Sequence, residues 1–145
     1  MKRIRVGVIG VGAMGKHHTR LYSDVDGVEL VGVADVNDRA AAEVAAEYNT
    51  AAFTDVERLL KSDLDAVSIA VPTSLHKEVA LNAANQGVHM LIEKPIADSL
   101  SSADAIIAAV RRENLKLMIG HIERFNHTIL KFEERACITF RHECA

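Results

Sequence analysis

A repeated alternation most constrains this fold: short runs of β-branched and aliphatic residues are separated by longer stretches of helical periodicity. Residues 4–9, 29–34, 65–71, 88–92 and 115–119 are short and dominated by Val, Ile and Leu, as suits strands covered on both faces. A weaker run over residues 51–53 stands where a sixth strand is needed. Between the runs, Ala41, Val44, Ala45 and Tyr48 recur at i, i+3, i+4 and i+7, and Ala103, Ile106, Ile107 and Val110 repeat the spacing. Each set lines one face of a helix. Parallel strands need crossover connections, and alternating helices supply them. The chain therefore reads as α/β, a doubly wound parallel sheet with helices on both sides.

Local signals divide the chain in the same way. Thr54-Asp55-Val56-Glu57 has the form of a capping box that opens a short helix. Gly87 closes the helix expected over residues 76–86 in the left-handed conformation. Thr73 or Ser74 is expected to cap that helix at its start. A chain of 145 residues with 49% hydrophobic residues can bury a core, so a single domain is the default. A formal charge of -3 gives no pull towards nucleic acid or an anionic membrane. Six scattered aromatics, two Tyr and four Phe, make no base-stacking platform. No run approaches the length of a membrane span. Glycines interrupt the apolar stretch after the basic start, so a strand and turn are expected there rather than a secretion signal. The two cysteines, Cys137 and Cys144, build no disulfide framework, and the expected setting is a reduced cytoplasm. Cys137, His142 and Cys144 match no firm ligand spacing, and no metal site is expected.

In such a sheet, ligands bind at the carboxyl ends of the strands, where the strand order reverses. The first strand runs directly into Gly10-Val11-Gly12-Ala13-Met14-Gly15, the G-x-G-x-x-G pattern. Gly10 permits the tight turn, Gly12 lets backbone approach a pyrophosphate, and Gly15 lets helix and strand pack closely. Asp35 ends the second run twenty residues beyond Gly15, the offset of about 20 at which an acidic residue takes the adenosine ribose hydroxyls. This favours NAD over NADP. Arg39, four residues on, is the residue that would cover a 2′-phosphate and keeps NADP open. The plain alternatives are a glycine turn that binds nothing and an aspartate that caps a helix.

Three further strand ends carry polar residues. Val71-Pro72-Thr73 leads to His76, expected in the first turn of its helix and facing the crevice, against the alternative of a solvated histidine. Glu93-Lys94-Pro95 ends the fifth run, with Lys94 placed to assist a substrate hydroxyl and Glu93 to hold it. A surface ion pair is the bland reading. A cis bond before Pro95 would aim the lysine inward. Finally, Gly120 is followed by His121, Arg124 and Asn126 at the same edge.

Taken in order, these stretches resemble the nucleotide-binding half of the Gfo/Idh/MocA oxidoreductases. The resemblance spans residues 3–135, and Glu93-Lys94-Pro95 is its most discriminating part. It implies a Rossmann domain over residues 1–135 and an NAD(P)-dependent dehydrogenase acting on a sugar, nucleotide-sugar or cyclitol carbon. Lys94 matches the family's active-site lysine. Gly10 to Gly15, Asp35, Val71, Pro72, Thr73, His76, Glu93 and Lys94 are implied on the cofactor, with His121, Arg124 and Asn126 near substrate or nicotinamide. The stretch from Gly120 to Asn126 looks like members acting on nucleotide-linked amino sugars. Residues 136–145 do not look like the family's domain crossover and form an atypical tail, so the second family domain, with its usual oligomer interface, is expected to be absent. The chain then reads as about half an enzyme, poorly active alone, with a non-catalytic dinucleotide-binding module or sensor as the alternative.

Overall fold

The computed structural model describes residues 2–129 and 131. Cys137, Cys144 and the tail expected over residues 136–145 lie outside them. Six strands alternate with five helices among the described residues: β1 (Ile4–Ile9), α1 (Ala13–Asp24), β2 (Val28–Ala34), α2 (Asp38–Glu47), β3 (Ala51–Phe53), α3 (Val56–Leu60), β4 (Ala66–Ile69), α4 (Thr73–Asn85), β5 (His89–Ile92), α5 (Leu100–Arg112) and β6 (Leu117–Ile119). All strand pairs are parallel. The order is β3-β2-β1-β4-β5-β6, the doubly wound arrangement, whose order reverses between β1 and β4.

Side-chain alternation splits the core between the two faces of the sheet. Ile9, Ala34, Val67, Ile69 and Ile92 join Leu59, Ala83 and Ile106 in the larger cluster. Val8 and Val33 point the other way, to Val44 and Ala45 of α2, with Tyr22 packed alongside. Ser68, between Val67 and Ile69 on β4, is fully buried on the α1 side, where it meets His18 and Tyr22. No described helix is long and apolar enough to cross a membrane.

Two caps differ from the sequence reading. The short helix α3 is capped by Asp55, whose carboxylate accepts from the Glu57 amide, and not by Thr54. A charged acceptor one residue nearer the helix outcompetes a hydroxyl. Helix α4 begins earlier than expected, with Pro72 as its N-cap and Thr73 already helical. Proline's fixed φ suits that entry. Gly87 follows α4 at φ +72°, in the expected left-handed conformation.

The pairing registers align the strand ends. Ile9 stands beside Ala34 and Ile69, Ile69 beside Ile92, and Ile92 beside Ile119. The next residue of each strand extends the ladder: Gly10 donates to the Ala34 carbonyl at 2.7 Å, Ala70 to Ile9 at 2.8 Å, Glu93 to Ile69 at 2.9 Å and Gly120 to Ile92 at 2.8 Å. Gly10, Asp35, Ala70, Glu93 and Gly120 thus form one row at the carboxyl edge.

Candidate dinucleotide site

A cleft of about 600 Å³ opens at the reversal point between β1 and β4. Gly10 and Gly12 form its floor, Asp35 and Val36 one side, and Val71, Pro72, Leu75, Glu78 and Val79 the other. The walls are mainly apolar, with carboxylates at Asp35 and Glu78, which suits a flat heterocycle joined to a polyol.

The three glycines of the loop differ in what they make possible. Gly10 has φ +87°, and a Cβ there would lie 2.7 Å from the Ala70 carbonyl oxygen. A Cβ on Gly15 would lie 1.7 Å from the Gly10 carbonyl oxygen, so the first turn of α1 can sit on β1 only without a side chain. At Gly12, by contrast, a Cβ would meet nothing within 4 Å. That space lies at the N-cap of α1, where backbone amides and the helix's positive end favour an anion. The residues present therefore fit a dinucleotide. Val11, Ala13 and Met14 do not line the cleft. Val11 instead donates its amide to an Asp35 carboxylate oxygen at 2.8 Å.

The other Asp35 oxygen accepts from the Asn37 amide at 2.9 Å. Its carboxylate is thus fixed by two backbone amides and still has lone pairs for further donors. Asn37, not Asp35, caps α2. Arg39 is committed to Glu43 on the exposed face of α2, 2.8 Å away, and does not line the cleft.

His76 lies elsewhere than expected. The residue is 1% exposed and does not line the cleft. Nε2 lies 2.9 Å from the Val71 carbonyl oxygen, and Nδ1 lies 3.0 Å and 3.3 Å from those of Pro95 and Ile96. Because α4 starts at Thr73, His76 is carried inward, where it ties the cleft wall at Val71 to the turn after Lys94.

Beyond β5, Lys94 is exposed, and its ammonium makes no hydrogen bond or ion pair among the described residues. The Lys94–Pro95 bond is cis. Glu93 does not pair with Lys94 through its ammonium. Its carboxylate is buried, and one oxygen accepts from the Lys94 amide at 3.2 Å. The other, Oε1, lies 3.1 Å from Nε2 of His18. That is an ion-pair distance without hydrogen-bond alignment, and Oε1 is buried with no donor. Gly120 closes the opposite side, where a Cβ would lie 2.9 Å from Oε1. His121 and Asn126 flank the exposed 3-10 turn Ile122–Phe125, which carries Arg124. Asn126 donates to Glu123 at 2.8 Å.

His18 was the residue the sequence reading did not single out. It falls one helical turn after Gly15, on the face buried with Gly15 and Thr19, and that spacing was the available signal. Ser68, a polar residue inside an apolar strand, was the second.

Comparison with known proteins agrees with this geometry. Residues 4–121 match an oxidoreductase family described as an NAD-binding Rossmann fold. The UDP-N-acetylglucosamine 3-dehydrogenase of Acidithiobacillus ferrooxidans is 46% identical over 129 residues, covering 89% of this chain and 40% of its own length. Its solved structure superposes with a TM-score of 0.85 over 94% of this chain and 44% of that one. The 4-carboxy-2-hydroxymuconate-6-semialdehyde dehydrogenase of a Sphingobium species is 38% identical over 125 residues, 85% of this chain and 40% of the relative. An inositol 2-dehydrogenase of Rubrobacter xylanophilus is 37% identical over 128 residues, 86% of this chain and 37% of the relative. The chain thus spans about two fifths of the length of these relatives. The family match spans residues 4–121, most of the chain, which belongs to the Gfo/Idh/MocA oxidoreductases as their NAD-binding Rossmann domain.

Proposed function

We propose that this chain holds the dinucleotide in a dehydrogenase that oxidises a CH–OH carbon of a sugar, with nucleotide-linked amino sugars as the first substrate class. The observation that carries the reading is the edge row itself. The open Gly12 position, Asp35 and the Glu93–Lys94 turn lie along one strand-end line, so one extended ligand can touch all three. The 46% identity to a dehydrogenase named for UDP-N-acetylglucosamine supports the substrate class, and the likeness to an inositol dehydrogenase supports a cyclic polyol more broadly.

A bound nicotinamide supplies the hydride acceptor. Backbone amides at the start of α1 bind the phosphates, and Asp35 accepts from the adenosine ribose hydroxyls. That carboxylate, with Glu78 across the cleft and Arg39 paired elsewhere, disfavours a 2′-phosphate, so NAD is the preferred cofactor. Lys94, whose ammonium pairs with none of the described residues, takes part in proton transfer at the substrate hydroxyl. His121, Arg124 and Asn126 contribute to the substrate side. His76 acts on the cofactor only through the backbone of Val71 and Pro95.

The test is a titration of the chain with NADH and NADPH by nicotinamide fluorescence, followed by assays of NAD reduction with UDP-amino sugars and inositols. NADH binding tighter than NADPH, with only slow turnover on one of these classes that is lost in Lys94→Ala, is the expected result. Binding without turnover on any of them reduces the chain to a dinucleotide-binding module. No binding of either dinucleotide overturns the reading.

A further inference from the structure

The helix that follows the glycine loop and the turn that carries Lys94 are joined beneath the surface by a line of polar side chains. Tyr22 Oη and Ser68 Oγ lie 2.8 Å apart. Ser68 Oγ lies 3.1 Å from His18 Nδ1, and His18 Nε2 lies 3.1 Å from Glu93 Oε1. The rings of His18 and Tyr22 meet edge to face, with centroids 6.5 Å apart. His18, Ser68 and Glu93 are each at least nine-tenths buried. We propose that His18 is a positioning residue for the Glu93–Lys94 turn, acting through this chain. The proposal rests on the reading of Lys94 as the residue on the nicotinamide side.

The physical argument begins with Glu93. A buried carboxylate is costly unless its oxygens are paired. Here one oxygen accepts from the Lys94 amide, while the other lies beside His18 and has no aligned donor. Gly120 leaves the carboxylate no room to swing away, because even a Cβ there would crowd both oxygens. The position of the carboxylate is therefore set by the imidazole on one side and the Gly120 backbone on the other. Ser68 in turn fixes the ring, since a hydroxyl shared with Tyr22 orients the imidazole so that Nε2 faces Oε1.

Stability alone does not call for such an arrangement. An apolar set of the same volume serves a core as well or better. What a carboxylate provides here is a hydrogen bond to the Lys94 amide, which an apolar side chain cannot make. His18 meets Glu93, whose carboxylate accepts from the Lys94 amide, and its ring makes no hydrogen bond with the glycine loop or Asp35 among the described residues. His18 thus bears on the nicotinamide end of the ligand and not on the adenosine end.

The experiment compares His18→Leu, His18→Gln, Ser68→Ala and Glu93→Gln in the whole chain by three readouts. These are NADH affinity, affinity for ADP-ribose, which lacks nicotinamide, and hydrogen exchange at the Lys94 amide without ligand. His18→Leu is expected to weaken NADH about tenfold while ADP-ribose changes by less than about twofold. It should also speed exchange at Lys94. His18→Gln, which keeps a polar group beside Glu93, should restore most of both. Ser68→Ala removes one hydroxyl and should show the same split in smaller degree, so it carries the test if His18→Leu does not fold. Glu93→Gln should speed exchange at Lys94, because a neutral amide oxygen is the weaker acceptor. Equal loss of NADH and ADP-ribose, or unchanged exchange at Lys94 in the His18 and Ser68 variants, overturns the proposal. If the unaltered chain binds neither ligand, the proposed function fails, and exchange at Lys94 still decides the role of His18.

Discussion

Substituting Gly12 and Gly15 separately by alanine tests the loop most directly, because the structure assigns the two positions opposite consequences. At Gly15 the new Cβ would stand 1.7 Å from the Gly10 carbonyl oxygen. Both partners are backbone, so no rotamer change relieves the clash. Helix and strand must part by about 1.5 Å to restore contact, and overpacking of this kind costs roughly 1–3 kcal/mol or more. In a domain of this size that lowers Tm by about 5–10 °C. At Gly12 nothing lies within 4 Å of the new Cβ, and φ is an ordinary -64°. The reduced freedom of the unfolded chain contributes up to about 1 kcal/mol. Loss of glycine's slight N-cap advantage offsets it. The expected change in Tm is close to zero. The methyl group nevertheless fills the space through which phosphates approach, and NADH affinity should fall at least about tenfold. Scanning fluorimetry and NADH titration on the two variants suffice. Gly12→Ala that keeps its affinity within about twofold removes the phosphates from that position. Gly15→Ala that melts within about 2 °C of the parent shows the packing argument to be wrong.

Other expectations concern the edge row and the core beneath it. Asp35→Ala should weaken NAD more than NADP, measured by parallel titrations, and equal losses would mean that the carboxylate acts only by mooring the Val11 and Asn37 amides. His76→Ala leaves the carbonyls of Val71, Pro95 and Ile96 without their buried partner and opens a void, so urea unfolding should register a loss of about 2–4 kcal/mol. A loss under about 1 kcal/mol would indicate that water replaces the ring. Ile69→Ala, at a fully buried site on β4, should cost about 2–5 kcal/mol in the same assay, with a smaller loss pointing to collapse of neighbouring helices into the space.

Strand placement was legible because a strand covered on both faces must be apolar throughout. Residues 4–9 and 51–53 match β1 and β3, and the others are recovered with small errors at their ends. The runs 65–71 and 115–119 were read too long, since apolar residues continue into the cleft wall at Val71 after β4 has ended and already begin at Leu115 before β6 starts. Gly10, Gly12 and Asp35 could be placed at the cleft because each answers a backbone or charge requirement that few residue types meet. His76 could not. Its neighbours in sequence suggest a crevice, but its partners are carbonyls five and about twenty residues away, which only the closed fold brings to the ring. Glu93 was read as a partner for the lysine beside it, whereas its carboxylate turns under the sheet edge to His18. That contact joins two elements far apart in the chain, and no local pattern encodes it.

The shared row at the carboxyl edge also bears on how the length of such a chain can change. Adding or removing one residue within β1, β4 or β5 would move Gly10, Ala70 or Glu93 out of line and turn the strand's side chains to the wrong face. The turns at the opposite edge, over residues 25–27, 61–65 and 113–116, carry none of the proposed ligand contacts. Insertions there leave the line intact. Length variation among functional versions of this domain should therefore collect on one side of the sheet, and a reporter loop or affinity tag is best grafted there.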